Sequence, residues 1–114
     1  MLPKEYRLKK RSAYTATYKT GKAVHKDGIT MFVGKNKNND YPTKVGFVVS
    51  KKIHKRAVKR NRIKRLMRES YRLLIKEGSV SDKYISLIFV ASSKLIDKDF
   101  KFVDETIRKL VYKI

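Results

Sequence analysis

Tyr84-Ile85-Ser86-Leu87-Ile88-Phe89-Val90-Ala91 is nearly all apolar and rich in β-branched and aromatic residues. A run of this kind reads as a strand covered on both faces, and so as the centre of a sheet. Before it, residues 55–77 carry Ile63, Leu66, Met67, Ser70 and Leu74 at helical spacing, a core stripe on one long helix that Gly78 ends. Before the helix, Val45-Gly46-Phe47-Val48-Val49 reads as another strand. Strand, long helix, strand implies a parallel pair joined by a crossover. Residues 29–33 form a further strand, and the polar, turn-rich loop 35–44 between it and 45–49 predicts an antiparallel pair. Residues 12–20 suit a short helix with Ser12 as N-cap and Gly21 as stop. Residues 99–112 suit a last helix with Phe100, Val103, Ile107, Leu110 and Val111 inward and Asp97 or Asp99 near its start. The expected class is α/β, an α+β sandwich in which one small mixed sheet is packed with helices. No repeat or linker divides the chain, so residues 1–114 are expected to be one domain.

Apolar residues make up 41% of the chain, enough for a modest core. Cysteine is absent, which removes disulfides and thiolate metal sites and fits a reducing, cytoplasmic setting. No apolar run is long enough to span a bilayer, and the charged N-terminus leads into no signal-type stretch.

The net charge of +20 constrains function most. Residues 1–72 hold 22 Lys and Arg against 4 Asp and Glu, while residues 73–114 hold 8 against 6. Charge for solubility alone need not be of one sign and in one segment. A polyanion that relieves the repulsion is the better account. A membrane surface fits less well than nucleic acid, because no segment joins a basic face to a wide apolar one.

Residues 51–72 concentrate the signal, with 11 basic residues against Glu69 alone. On the helical wheel, Asn61, Lys64, Arg65, Arg68 and Arg72 lie opposite the core stripe. Lys59, Arg60 and Arg56 precede the stripe, on turns expected to overhang the sheet. Cations at a helix N-terminus oppose its dipole. Like charges four apart, as at Arg56/Arg60, Arg60/Lys64 and Lys64/Arg68, add repulsion. Local rules broken this consistently mark a functional surface. A run of phosphates would turn the repulsion into binding through counterion release, with Arg forks gripping phosphate in two bonds.

Tyr14 and Tyr18 are four apart and share one face of the short helix, and Phe32 on the first strand lies within reach. Aromatic faces flanked by Lys and Arg hold unpaired bases without reading sequence. Aromatic residues at this spacing also build cores, and the residues alone leave both roles open. Catalysis by the chain itself finds no support. His25 and His54 sit in polar, basic surroundings, the acids are not spaced as metal ligands, Ser50, Ser92 and Ser93 have no base partner, and no phosphate-binding glycine loop occurs. Asp97, Asp99, Asp104 and Glu105 read as helix-start charges.

Val49-Ser50-Lys51-Lys52, followed by Arg56-Ala57-Val58-Lys59-Arg60-Asn61-Arg62-Ile63-Lys64-Arg65-Leu66-Met67-Arg68-Glu69-Ser70, resembles the signature of the bacterial ribonuclease P protein family. The Arg60-Asn61-Arg62 triplet is its most specific part, and the Arg7-Leu8-Lys9-Lys10 opening, the aromatic pair and the order of elements extend the likeness over nearly the whole chain. The resemblance implies a ribosomal-protein-S5-like sheet with a left-handed crossover, an exception to the usual hand. It implies that Lys55, Arg56, Lys59, Arg60, Asn61, Arg62, Lys64, Arg65 and Arg68 face ribonuclease P RNA. Tyr14, Tyr18, Phe32, Ser50, Lys51 and Lys52 would then hold the 5′ leader of precursor tRNA in a cleft between the first helix and the sheet. Hydrolysis would belong to the RNA and its Mg²⁺, with no cofactor on the protein and no protein partner required. Two departures stand out. His54-Lys55-Arg56 replaces a glycine-containing turn, and Ala91-Ser92-Ser93-Lys94 lacks the basic residue that often follows the alanine, leaving Lys94 as the one candidate there. A ribosomal or other structured-RNA-binding protein explains the charge and size but not the Arg60–Arg65 match. A DNA-groove reader would lack base-reading side chains apart from Asn61, and no dimer signature is visible.

Overall fold

The structure, a computed structural model, describes residues 2–38, 40–50, 52, 56–80 and 82–114. Three helices, α1 (Arg11–Lys19), α2 (Ala57–Lys76) and α3 (Phe100–Tyr112), surround a sheet of β1 (Ala23–Lys26), β2 (Ile29–Val33), β3 (Lys44–Val49) and β4 (Ser86–Ala91). The strand order is β1-β2-β4-β3. The apolar run 84–91 supplies β4, which lies between two neighbours as expected. Its odd residues Leu87, Phe89 and Ala91 face the main core, and its even residues Ser86, Ile88 and Val90 face the other side.

The parallel β3–β4 pair joined through α2 is present. The expected antiparallel pairing of 29–33 with 45–49 is not. β4 stands between those strands, antiparallel to β2 and parallel to β3. The reason lies in loop 34–43, which is not a tight hairpin turn. It spends its backbone groups on the lead-in to β4, with Gly34 N–H on Ser86 O at 2.8 Å, Lys37 N–H on Lys83 O at 2.8 Å and Ile85 N–H on Lys35 O at 2.9 Å. β1 was not foreseen, although its signal is present. Asp27-Gly28 turns β1 into β2 with positive φ at both residues, 47° and 92°, the two-residue hairpin that Asp-Gly favours.

α1 begins at Arg11 rather than after a Ser12 cap. The N–H groups of Ala13 and Tyr14 already bond the Lys10 carbonyl, and no side chain caps this end. α2 buries Ile63, Met67, Ser70, Tyr71 and Leu74, so Tyr71 joins the expected stripe while Leu66 sits at its half-buried margin. α3 has Asp99 as its cap, its side chain accepting from Phe102 N–H at 3.0 Å. Val103, Ile107, Leu110 and Val111 point inward, whereas Phe100 is only half-buried. Asp104 is not a helix-start charge. It accepts from the Ser70 hydroxyl at 2.7 Å and from Arg108 at 2.9 Å, and Arg108 also reaches Glu77 at 2.7 Å, tying α3 to the end of α2. Among the described residues no helix is long and apolar enough to cross a membrane.

Tyr71 and Phe89 are fully buried in the core, tilted against each other at 5.8 Å, and the half-buried Phe47 stacks on Phe89 at 5.8 Å from the margin. Full burial of a side chain such as Phe89 contributes on the order of 1.5–3 kcal/mol. The Tyr71 hydroxyl is buried without a hydrogen-bond partner among the described residues. Burial, with smaller contributions from Asp82 and Tyr6, pushes its ionisation far above the usual phenol range. An unsatisfied buried group costs about 1–3 kcal/mol. Tyr71→Phe is therefore expected to leave stability unchanged or raise it by about 1 kcal/mol. Urea unfolding of both proteins is the check, and a lower midpoint for the variant would mean that the hydroxyl has a partner.

Candidate nucleic-acid interface

Alternation along the strands decides which side chains meet α1. The core cluster takes Ile29, Met31 and Val33 of β2, Val45 and Val49 of β3, and Leu87, Phe89 and Ala91 of β4, with the half-buried Phe47 of β3 packed against it. The opposite face carries two rows set by the register. One row runs Ala23, Phe32, Ile88, Gly46, and the next runs His25, Thr30, Val90, Val48.

α1 lies across the strands at the first of these rows. Tyr14 sits over β3, where its hydroxyl donates to Leu8 O at 3.2 Å and its ring occupies the space that a Cβ on Gly46 would need. Only a residue without a side chain lets the ring approach β3 so closely. Over β4, the Thr17 hydroxyl donates to Ala13 O at 2.8 Å and meets the Ser86 hydroxyl at 2.5 Å, both side chains being buried. Over β2, Tyr18 packs edge-to-face on Phe32 with centroids 4.8 Å apart, and Thr20 donates to Val33 O at 2.5 Å. The helix is thus pinned at both ends and in its middle.

Beside α1 the sheet is open. Thr30, Val48 and Val90 are half-buried, and Tyr18 is 38% exposed. Burial raises the phenol ionisation of Tyr18, and burial with the neighbouring Tyr18 raises that of Tyr14. Both rings stay neutral and can donate. The open face continues past the strand ends to Ser50 and Ser92. Each serine hydroxyl accepts a backbone N–H two residues on, from Lys52 at 3.1 Å and from Lys94 at 3.3 Å. Lys94 is held near Asp27 at 3.8 Å. Of the predicted leader residues, Tyr14, Tyr18, Phe32 and Ser50 therefore share this face, and Lys52 follows at its end. Lys51 lies outside the described residues. Sequence reasoning missed Thr17 and Ser86, whose pairing depends on a fold-level contact, and the half-buried valines, which read as ordinary strand residues.

α2 lies on the other face of the sheet. Its first turns extend beyond the core: Ala57, Val58 and Asn61 are exposed and Ile63 is the first buried residue. Lys59, Arg62, Lys64, Arg65 and Arg68 have no acidic partner among the described residues. Glu69, the one acid here, is bound by Arg72 at 2.6 Å, and that hydrogen bond lowers its ionisation. Arg56 is the N-cap residue and Arg60 N–H bonds its carbonyl at 3.3 Å. Lys55 and His54 lie outside the described residues. Lys64 and Arg68 also line a hollow of about 340 Å³ with Arg7, Lys9, Tyr14 and Gly46. This hollow at the β3 edge links the α2 face to the α1 side. No group of His, Cys, Asp or Glu among the described residues is placed to hold a metal ion.

The family model described as Ribonuclease P matches residues 2–114. The ribonuclease P protein component of Clostridium novyi is 36% identical over 110 residues, covering 96% of this chain and 94% of the relative. That of Clostridioides difficile is 40% identical over 104 residues, covering 91% and 87%. The solved RNase P protein of Staphylococcus aureus superposes with a TM-score of 0.79 at 27% identity, covering 95% and 94%. That of Thermotoga maritima gives 0.79 at 26%, covering 95% and 96%. Matched along its length by sequence and by fold, the chain belongs to the ribonuclease P protein family.

Proposed function

We propose that this chain, acting as one domain, is the protein subunit of a ribonuclease P in the cytoplasm and assists removal of the 5′ leader from precursor tRNA. The observation that supports this best is the pairing of two unlike surfaces on opposite faces of one sheet. One is a helix on which Lys59, Arg62, Lys64, Arg65 and Arg68 have no acidic partner among the described residues, suited to the phosphates of a structured RNA. The other is an open groove with aromatic walls and basic ends, suited to a single strand. Lys59, Arg60, Asn61, Arg62, Lys64, Arg65 and Arg68, with Arg56 and Lys55 before them, bind the catalytic RNA. Tyr14, Tyr18 and Phe32 take leader bases, and Ser50, Lys51 and Lys52 its backbone. The RNA with its Mg²⁺ carries out the hydrolysis. The protein contributes positive charge and substrate contacts, needs no cofactor and no protein partner, and engages no membrane.

Reconstitution with a bacterial ribonuclease P RNA tests this. The protein alone is expected to leave precursor tRNA intact, and adding it to the RNA is expected to lower the Mg²⁺ needed for cleavage. Specific 5′-end cleavage by nuclease-free protein without RNA would end the proposal, as would an unchanged Mg²⁺ requirement.

A further inference from the structure

We propose that Thr17 and Ser86 are positioning residues for the leader, an inference that rests on the leader-binding reading above. Thr17 is the one fully buried residue of α1. A helix usually holds its sheet through an apolar stripe, and burial of apolar surface has no preferred direction. Here the residue at the centre of the contact is polar, and hydrogen bonds have narrow limits of distance and angle. The Thr17 hydroxyl has a single hydrogen, which goes to the Ala13 carbonyl at 2.8 Å. Thr17 therefore accepts at its contact with Ser86, and the Ser86 hydroxyl donates. The relay runs from β4 through Thr17 into the body of α1, and each bond polarises the next. The two residues are only 2% and 4% exposed, so the relay is shielded from water.

The sheet makes room for this relay. Gly34 follows β2, and its N–H bonds the Ser86 carbonyl at 2.8 Å. A Cβ on Gly34 would fall on the Ser86 hydroxyl oxygen, so a side chain there would drive the hydroxyl from its place. Tyr18 is the next residue of α1 after Thr17. Phe32, on which Tyr18 packs, pairs with Ile88, two residues along β4 from Ser86. A shift of α1 at Thr17 therefore displaces the Tyr18 ring relative to Phe32 and to the open row of Thr30, Val90 and Val48 beside it. Thr17 and Ser86, themselves buried, act on the leader through the placement of Tyr18.

The test uses the full chain reconstituted with ribonuclease P RNA and compares precursor tRNA, mature tRNA and catalytic-RNA binding with thermal stability. Thr17→Val combined with Ser86→Ala removes both hydroxyls and leaves neither partner unsatisfied, so the melting temperature should stay close to that of the wild type. Precursor affinity is expected to fall about five-fold, part of the decade that one base stack is worth. Mature tRNA and the catalytic RNA should bind as before. Thr17→Ser keeps the relay and should retain wild-type affinity. In a Tyr18→Ala background the double replacement should cost nothing further, because it acts through that ring. Wild-type precursor affinity in the double variant, an equal loss for all three ligands, or a full additional loss on top of Tyr18→Ala would overturn the inference. If the double variant does not fold, Ser86→Ala decides by the same comparison, since Thr17 keeps its bond to Ala13 there. If Tyr18→Ala weakens precursor binding while the double variant does not, only the positioning role fails. If Tyr18→Ala changes nothing, the leader-binding reading fails and this inference with it.

Discussion

Tyr18→Ala is expected to weaken precursor-tRNA binding by about ten-fold or more, and to leave mature tRNA and the catalytic RNA bound as before. Stacking of a base on an aromatic ring is worth about 1–3 kcal/mol, and about 1.4 kcal/mol is one decade in affinity. The position of Tyr18 separates this from a folding defect. The ring is 38% exposed and packs edge-to-face on Phe32. Its removal forfeits an aromatic pair worth about 0.5–1.5 kcal/mol. Truncating a fully buried aromatic such as Tyr71 would cost about 3–5 kcal/mol. A variant that keeps most of its thermal stability and loses only leader-dependent affinity identifies Tyr18 as part of the cleft. A large fall in melting temperature, with all three affinities declining together, assigns it to the core instead.

Removing the α2 cations should have a larger effect still, on a different ligand. Arg62, Arg65 and Arg68 have no acidic partner among the described residues, so their loss breaks no ion pair there. Replacing all three with Ala is expected to flatten the salt dependence of catalytic-RNA binding by about three units, one for each lost phosphate contact. Affinity at low salt falls correspondingly. Folding stability should hold or rise slightly, because like charges four apart at Arg68 and Arg72 and at Lys64 and Arg68 no longer repel. Titrations at several salt concentrations measure the slope. A slope equal to that of the wild type would remove these residues from the interface.

The elements dictated by strong local patterns were legible in the sequence. The apolar run 84–91, the stripe on α2 and the amphipathic last helix each impose one structure through burial. Pairing was less legible. Nothing in 29–33 or 45–49 states that β4 will enter between them, because that is set by how the whole β4 surface is covered. The Asp27-Gly28 turn was readable, but the strand before it is short and polar on its exposed side, so its pattern was weak. The cationic face of α2 could be read because it violates helix electrostatics over several turns. The cleft could be read only as far as its aromatic residues. Its geometry depends on Gly46, Thr17 and Ser86, which carry no signal of their own and matter through contacts between distant parts of the chain.

The ion network of Arg108, Glu77 and Asp104 has a kinetic consequence. It places acids at the C-terminal end of α2, while the cations without an acidic partner among the described residues lie earlier on the helix, between Lys59 and Arg68. A helix of 20 residues is roughly 30 Å long, so the two ends are separated by more than a Debye length at physiological salt. In the field of a large polyanion the protein experiences a torque as well as an attraction. This charge asymmetry predicts an approach with the cationic end leading, in which fewer diffusive collisions are wasted on unproductive orientations.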